Sequence, residues 1–189
     1  GGFQEARGSS SGSQWYVENI FELLDAPSEW FLDASAQLLY YYPNVSNFDP
    51  SNTEFIVSNL DQLISAQGDQ LAPVQGLQLV GLTFAHTQAT FMKEYQVPSA
   101  GDWSIHPGGA VFVEGSEQLL VNSCLFSRLG GNALYLSKYN LGSVISNNEF
   151  VWLGDTAIAA VGTTNLIDGT DGNQPRDTHV LNNLIHEIG

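Results

Sequence analysis

Apolar positions recur along the second half of the chain with a period in the low twenties. Three segments can be written beneath one another, namely 120–130, 144–154 and 180–189. Their aligned apolar positions are Phe126, Phe150 and Ile185, followed by Leu129, Leu153 and Ile188. The steps are 24 and 35 residues, and the excess of 11 matches a polar insert over 163–176. The period therefore indicates a repeated structural unit with one longer loop.

A second column holds the same period. Short apolar runs beginning at Ala110, Ala133 and Ala157 lie 23 and 24 residues apart. An earlier run over 77–84 resembles the first column, and Phe84 precedes Phe126 by 42 residues, so an insert near 88–106 would account for the surplus. Leucine-rich repeats have similar periods but require leucines and an asparagine at fixed offsets, and this pattern is absent. Strand-length runs broken by Gly and Asn predict an all-β fold, a right-handed parallel β-helix whose turns stack on one another.

The first part of the chain has a different pattern. A Gly/Ser-rich lead occupies 1–14, and apolar residues at helical spacing before Pro27 predict a short helix at about 16–25. Two β-prone runs, 30–33 and 38–42, flank a four-residue turn and predict a hairpin. We expect 15–75 to form an N-terminal cap and the entry to the first turn of the β-helix. The turns would then occupy 76–189 and continue beyond the last residue.

Composition narrows the classes of partner. The chain has 20 acidic and 5 basic residues, a net charge of −15, which disfavours nucleic acid and anionic membranes. Charged residues make up 13%, against roughly 25% in an ordinary domain. No run of about 18 apolar residues is present, so no membrane span is predicted. A polar surface rich in amides and hydroxyls instead favours a secreted or cell-surface protein.

A candidate binding surface follows from the repeat register. Two positions beyond the aligned Phe/Ile column lie His86, Arg128, Trp152 and Glu187. An imidazole, a cation, an aromatic ring and a carboxylate side by side would suit a glycan groove, with His86, Arg128 and Trp152 contacting sugar. The alternative is a solvent-facing column in which any residue type is tolerated.

Asp155 and Glu187 form the candidate catalytic pair. Glycoside hydrolysis uses two carboxylates about 5–5.5 Å apart for retention or about 6.5–9.5 Å apart for inversion. Adjacent turns of a parallel β-helix lie about 4.8 Å apart, so carboxylates one turn apart can satisfy either geometry. The alternative for Asp155 is that it caps a turn, as Asp often does.

Three further features are weaker candidates for a functional or structural role. The loop 168–173, with sequence DGTDGN, offers oxygen ligands for calcium, but an Asp/Gly turn on an exposed insert is the favoured interpretation. No other metal site or cofactor is predicted. Asn44 begins an N-glycosylation sequon in a polar loop. Cys124 occupies the position that Asn148 and Asn183 occupy in later repeats, where stacked asparagines could form a ladder at an inward bend.

Several of these segments resemble motifs of large secreted right-handed β-helix proteins, a group that includes glycoside hydrolases and many uncharacterised proteins. The resemblance covers about 15–189 and rests on 16–27 (YVENIFELLDAP), 29–33, 39–43, 81–87 (GLTFAHT), 154–158 (GDTAI), 172–176 and 186–189. It implies an extracellular β-helix that faces carbohydrate. In the hydrolases, the catalytic carboxylates lie along later turns, and Asp155 matches the neighbourhood of one of them and Glu187, more loosely, that of the other.

Two functional hypotheses follow. The first is a polysaccharide-contacting module, in its catalytic form a glycoside hydrolase. The second is a structural subunit of a filament, cell surface or cell wall, since a sheet edge left open at the last turn invites self-association. A lyase of acidic polysaccharides is less favoured, because 5 basic residues are few for neutralising uronates.

Overall fold

The computed structural model describes residues 17–98, 103–163 and 168–189, and this part of the chain is all-β. The predicted lead at 1–14 lies outside the described residues. By the density of internal contacts, the chain divides into two compact units with a boundary between Ile56 and Val57. No helix among the described residues has the length and apolar character needed to cross a bilayer.

The first unit is built on the predicted hairpin. Strands β1 (Trp30–Asp33) and β2 (Leu38–Tyr41) pair antiparallel around a four-residue turn. The carboxylate of Asp33 closes this turn by accepting hydrogen bonds from the backbone N–H groups of Ser35 and Ala36, at 3.0 and 2.9 Å. A 3-10 helix, Pro50–Asn52, follows and is capped by Asp49. The prediction of the hairpin is therefore confirmed.

The predicted helix at about 16–25 is wrong. Over the described part of this segment, the only helical element is a single 3-10 turn, Phe21–Leu23, preceded by Ile20 in an extended conformation and by Asn19 at φ 54°. A segment this short gains little from helix formation by itself. Phe21 instead packs edge-on against aromatic rings of both hairpin strands, with ring centroids 5.4 Å from Phe31 and 5.1 Å from Tyr40.

The second unit consists of four repeats that contribute strands to the same three sheets. Repeat 1 contains β3 (Ile64–Gln67), β4 (Val74–Gln75), β5 (Gln78–Val80) and β6 (Thr83–Ala85). Repeat 2 contains β7 (Val111–Glu117), β8 (Leu120–Asn122) and β9 (Leu125–Leu129). Repeat 3 contains β10 (Leu134–Leu141), β11 (Val144–Ser146) and β12 (Glu149–Leu153). Repeat 4 contains β13 (Ile158–Val161), β14 (Pro175–Arg176), β15 (His179–Leu181) and β16 (Leu184–Ile188).

All pairing within the three sheets is parallel. Sheet I has the order β13-β10-β7-β3, with β14 beside β10 and β4 beside β7. Sheet II has the order β15-β11-β8-β5, and sheet III has the order β16-β12-β9-β6. Each strand therefore pairs with the strand at the same place in the next repeat, an arrangement compatible with a β-solenoid.

The register of these sheets agrees with the sequence alignment. Phe126 pairs with Phe84 on one side and with Phe150 on the other, and Phe150 pairs with Ile185. The three phenyl rings form a continuous stack, with centroids 4.8 and 4.6 Å apart. The stack is buried together with aliphatic residues of the other sheets, so the repeated apolar columns form the core of this unit.

The predicted asparagine ladder is also present. The Asn148 carboxamide accepts a hydrogen bond from the Cys124 backbone N–H at 2.8 Å, and donates to the Val121 carbonyl at 3.0 Å. Asn183 repeats this arrangement one repeat later, where it accepts from the Asn148 N–H and donates to the Ile145 carbonyl. Cys124 is a buried free thiol at the head of this ladder. Because buried backbone groups are costly to leave unpaired, the ladder stabilises the bend between sheets II and III.

Candidate functional site

The four predicted surface residues lie side by side on sheet III. Since Ser127 pairs with Val151 and Leu129 with Leu153, Arg128 and Trp152 occupy equivalent positions in adjacent strands. Glu187 is likewise placed beside Trp152. His86 follows β6, and its backbone N–H donates to the carbonyl of Arg128 at 2.9 Å. We call this line of residues, His86, Arg128, Trp152 and Glu187, the corner column.

Every member of the corner column has a left-handed backbone conformation. The φ angles are 64°, 53°, 53° and 50° for His86, Arg128, Trp152 and Glu187. In an extended strand, Phe126 and Arg128 would face the same side. The left-handed residue turns the chain so that Leu129 points into the core and the Arg128 side chain is exposed. The column therefore marks the corner at which each repeat leaves sheet III.

The other two corners of the repeats use different residue types. The corner before sheet II has positive φ at Gly76, Gln118, Gly142 and Asp177. The corner between sheets II and III has positive φ at Gly81, Ser123, Asn147 and Asn182. These are mostly Gly, Asn and Asp, which adopt this conformation at low cost. Only the corner column uses large side chains throughout, and a bulky residue at positive φ is unusual.

The side chains of the corner column are partly or fully exposed, and two of them, Arg128 and Trp152, contact each other. Trp152 is 53% exposed. The guanidinium carbon of Arg128 lies 4.7 Å from the centre of the Trp152 ring, a cation–π contact that contributes roughly 0.5–1 kcal/mol at an exposed site. Arg128 and Glu187 are exposed and His86 is half-buried. An aromatic surface with an adjacent cation and carboxylate is thus open to solvent.

Asp155 lies just beyond this column, and its partner is a residue that the sequence did not indicate. The hydroxyl of Tyr95 donates to the Asp155 carboxylate at 2.9 Å, and the hydroxyl of Thr156 donates at 3.2 Å. Burial, followed by the hydrogen bond to Asp155 and its negative charge, raises the pKa of Tyr95. Tyr95 therefore remains a protonated donor that holds the carboxylate in place.

The predicted pairing of Asp155 with Glu187 has no direct contact to support it. The structure places Glu187 beside Trp152 on sheet III, whereas the group that Asp155 contacts is Tyr95, which comes from the long segment between repeats 1 and 2. Two carboxylates that act on one glycosidic bond need not contact each other, because each of them contacts the substrate. The catalytic roles of Asp155 and Glu187 remain predictions.

The remaining predicted sites lie apart from the corner column. Asn44 is exposed in a bend of the first unit, and its glycosylation remains a prediction. In the loop considered for calcium, the Asp168 carboxylate accepts from the Thr170 N–H at 2.9 Å and the Asp171 carboxylate accepts from the Asn173 N–H at 3.0 Å. These are the bonds of Asp turns. Within the described ranges, no group of three or more His, Cys, Asp or Glu side chains converges as a metal site.

Sequence reasoning missed a second polar region, on the outer face of sheet I. There Phe112 stacks on Tyr135 with an interplanar angle of 13°, and the Gln96 side chain donates to the Tyr135 hydroxyl at 2.8 Å. Gln96 and Tyr135 are 39 residues apart. The alternation of Phe112 and Glu114 with buried Val111 and Val113 was the available signal, because it marks one face of a strand as different from the core face.

Comparisons with protein-family models, with curated proteins and with solved structures find no match to this chain.

Proposed function

We propose that this chain is a right-handed parallel β-helix module of an extracellular protein and that it contacts polysaccharide through the corner column. The parallel pairing of equivalent strands in three sheets supports the β-helix assignment. The low content of charged residues and the exposed sequon at Asn44 support a secreted or cell-surface location.

The observation that carries the proposal is the choice of residues at the corner. Left-handed backbone costs roughly 1–2 kcal/mol per non-Gly residue, and the other two corners reduce this cost with Gly, Asn or Asp at six of their eight positions, the exceptions being Gln118 and Ser123. The corner column retains His86, Arg128, Trp152 and Glu187 at all four positions. Large side chains at strained backbone positions are a reason to infer function here, because side chains that are exposed do not pack in the core and so do not offset the strain.

The chemistry of the column suits sugars. A sugar ring presents a C–H face that stacks on an aromatic ring, and hydroxyls that bind charged or polar groups. Trp152 supplies the ring, while Arg128 and Glu187 beside it supply a donor and an acceptor. The net charge of −15 favours a neutral glycan over one rich in uronates or sulfates.

The catalytic form of the proposal is a glycoside hydrolase in which Asp155 and Glu187 act as the paired carboxylates. Tyr95 would then position Asp155, and Glu187 would lie at the edge of the bound glycan next to Trp152. The resemblance to secreted β-helix hydrolases supports this form, which adds catalysis to binding.

A binding and turnover experiment on the same polysaccharide panel separates these forms. Trp152→Ala is expected to weaken glycan binding about tenfold or more, because a central aromatic anchor often carries that much free energy. Phe91→Ala, which also removes an exposed ring, is the matched control and is expected to leave binding unchanged. Equal binding by the wild type and Trp152→Ala would contradict the proposal.

Turnover is measured as released reducing ends. Loss of turnover in Asp155→Asn and Glu187→Gln, with full turnover in Glu149→Gln, would support the hydrolase. Glu149 is a suitable control because it is an exposed carboxylate on the same sheet, paired with His186 at 3.2 Å. Binding without turnover in the wild type would support a non-catalytic module.

The alternative function is a structural subunit that associates through sheet edges. Strands β15 and β16 form the edges of sheets II and III, and their apolar residues are exposed, at 54% for Leu181 and 59% for Leu184. Exposed apolar edge strands favour pairing with further strands, which later residues of the same protein or a second copy could supply. Negative-stain microscopy over a range of concentrations tests this alternative. Filaments would support it, and single particles at every concentration would exclude it.

A further inference from the structure

A cleft of about 400 Å³ lies on the outer face of sheet I, away from the corner column. Its base is formed by outward-facing residues of β7, β10 and β13, and one wall by the segment between repeats 1 and 2. The apolar lining residues are Val97, Pro98, Pro107, Phe112 and Val161. The polar lining residues are Gln96, Glu114, Tyr135, Ser137, Lys138 and Thr163. Its volume falls in the range of about 300–1,000 Å³ that is usual for small-molecule sites.

The polar groups of the cleft are held in place by one another. The Glu114 carboxylate accepts a hydrogen bond from the Ser137 hydroxyl at 2.7 Å and from the Lys138 ammonium at 3.0 Å. A carboxylate has about four acceptor sites and an ammonium three donors, so both groups retain capacity for a ligand. Because Glu114 and Lys138 carry opposite charges, the pair gives the cleft no net charge.

A β-bulge directs the Lys138 side chain toward Glu114. The register between β7 and β10 shifts between Ser137 and Asn140, and Lys138 has φ 51°. The equivalent residue in repeat 2 is Gly115, also at positive φ, where a Cβ would lie 2.2 Å from the backbone of Gly68. Bulges often re-aim a side chain next to a binding site. Here the bulge keeps a long cationic side chain at a position where glycine would be less strained.

A buried tyrosine lies beneath the cleft. Gln96 donates to the hydroxyl of Tyr135, which is 1% exposed, so the tyrosine fixes the Gln96 side chain at the cleft. Burial, together with the nearby charge of Glu114, raises the pKa of Tyr135, so the hydroxyl stays protonated at neutral pH. The half-buried ring of Phe112 stacks on Tyr135 and adds an apolar surface.

We infer that this outer cleft of sheet I binds one unit of a neutral saccharide, as a site separate from the corner column. An apolar floor with a rim of paired donors and acceptors matches a ring that has C–H faces and equatorial hydroxyls. An anionic ligand would meet the Glu114 carboxylate and the overall negative charge of the chain. The inference rests on the proposed function only in taking saccharide as the class of ligand.

The test uses the full chain and two sets of tetrasaccharides, measured by saturation-transfer NMR and by calorimetry. The neutral set is cello-, xylo- and laminari-tetraose, and the acidic set is tetragalacturonate. Glu114→Gln removes the charge and keeps the shape, and Gln96→Ala removes the amide that Tyr135 fixes at the cleft. Each is expected to raise the Kd for a neutral tetrasaccharide about tenfold.

Matched controls separate this site from the corner column. Gln75→Ala removes a glutamine from the same sheet outside the cleft, where it contacts Glu117, and is expected to leave the Kd unchanged. Trp152→Ala is expected to leave the binding of a single tetrasaccharide in the cleft intact, while it weakens the binding of long polysaccharide.

Each outcome decides at least one of the two proposals. If Trp152→Ala abolishes tetrasaccharide binding and the cleft variants do not change it, the cleft inference is overturned and the proposed function stands. If tetragalacturonate binds more tightly than every neutral tetramer, the inference of a neutral ligand is overturned. If the wild type binds no saccharide of either set and no polysaccharide, both proposals fail.

Discussion

The two units of this chain obtain their structure from different kinds of contact. In the first, none of the described residues from 17 to 56 is buried, and the structure consists of one antiparallel hairpin with aromatic residues packed on it. In the second, phenyl rings from three successive repeats stack in a buried core. The aromatic and strand contacts of the hairpin unit join residues up to 19 positions apart (Phe21 and Tyr40), whereas the core joins residues 24 to 42 positions apart. Stability should therefore be concentrated in the second unit, and substitutions of the same type should have unequal effects in the two.

The largest difference is expected for phenylalanine. Phe126→Ala removes the middle ring of the stack, and we expect it to lower the free energy of unfolding by about 3–5 kcal/mol through lost burial and a residual cavity. Urea denaturation followed by circular dichroism measures this change.

Phe55→Ala is the matched substitution in the first unit. Phe55 is 42% exposed and contacts Tyr41 edge-on at 5.7 Å, so we expect a loss below about 1 kcal/mol. Similar losses for the two variants would show that the contrast between a buried core and an exposed hairpin does not govern stability.

An intermediate effect is expected in the asparagine ladder. Asn148→Ala leaves the buried Cys124 N–H and Val121 carbonyl without their partners, and we expect destabilisation of about 2–3 kcal/mol. Asn147→Gly is the control, because it removes an exposed amide one position away, with its surface hydrogen bonds to Asn122 and from Asn182, and leaves the positive φ unstrained. If Asn147→Gly lowered the free energy of unfolding as much as Asn148→Ala, the exposed asparagines would stabilise the fold as much as the buried ladder, and the prediction would be wrong.

The smallest effect is expected at the hairpin turn and depends on pH. Hydrogen bonds from the Ser35 hydroxyl and from the Ala36 backbone lower the pKa of Asp33 below its usual value of 3.8. A carboxyl whose pKa is lowered by folding stabilises the turn above pH 3.8, and this contribution is lost as the pH falls through the lowered pKa. The amide protons of Ser35 and Ala36 should therefore titrate with a midpoint below pH 3.8 by NMR. Asp33→Asn should abolish the titration while retaining an acceptor, and a midpoint at or above 3.8 would rule out this role for Asp33.

The sequence was sufficient for elements that repeat or that are local. The hairpin bounds were predicted because both strands and their turn are adjacent. The columns of Phe126 and of Ala133 were predicted because each repeat must bury equivalent residues. Apolar residues therefore recur in the sequence with the period of the repeat. The helix at 16–25 was mispredicted because, of the four apolar residues at helical spacing, Phe21 packs on the rings of the hairpin instead of forming the buried face of a helix.

The candidate sites show the limit of this reasoning. The residues of the corner column could be aligned from the sequence. Their positive φ angles could not be predicted, because His, Arg, Trp and Glu are not residue types that indicate a turn. The contact between Tyr95 and Asp155 and the cleft around Glu114 involve a long segment between repeats, which has no counterpart in the period.

By itself, the sequence determined which residues face the core and which strands are equivalent, because burial of a repeated apolar face imposes its spacing on the chain. Only the tertiary structure decided which polar side chains meet. Those contacts depend on the geometry of the corners, on a bulge in β10, and on the segment between repeats 1 and 2, which contacts residues 39 to 60 positions later in the sequence. Such contacts are set by the folded backbone, and no local pattern of residues records them.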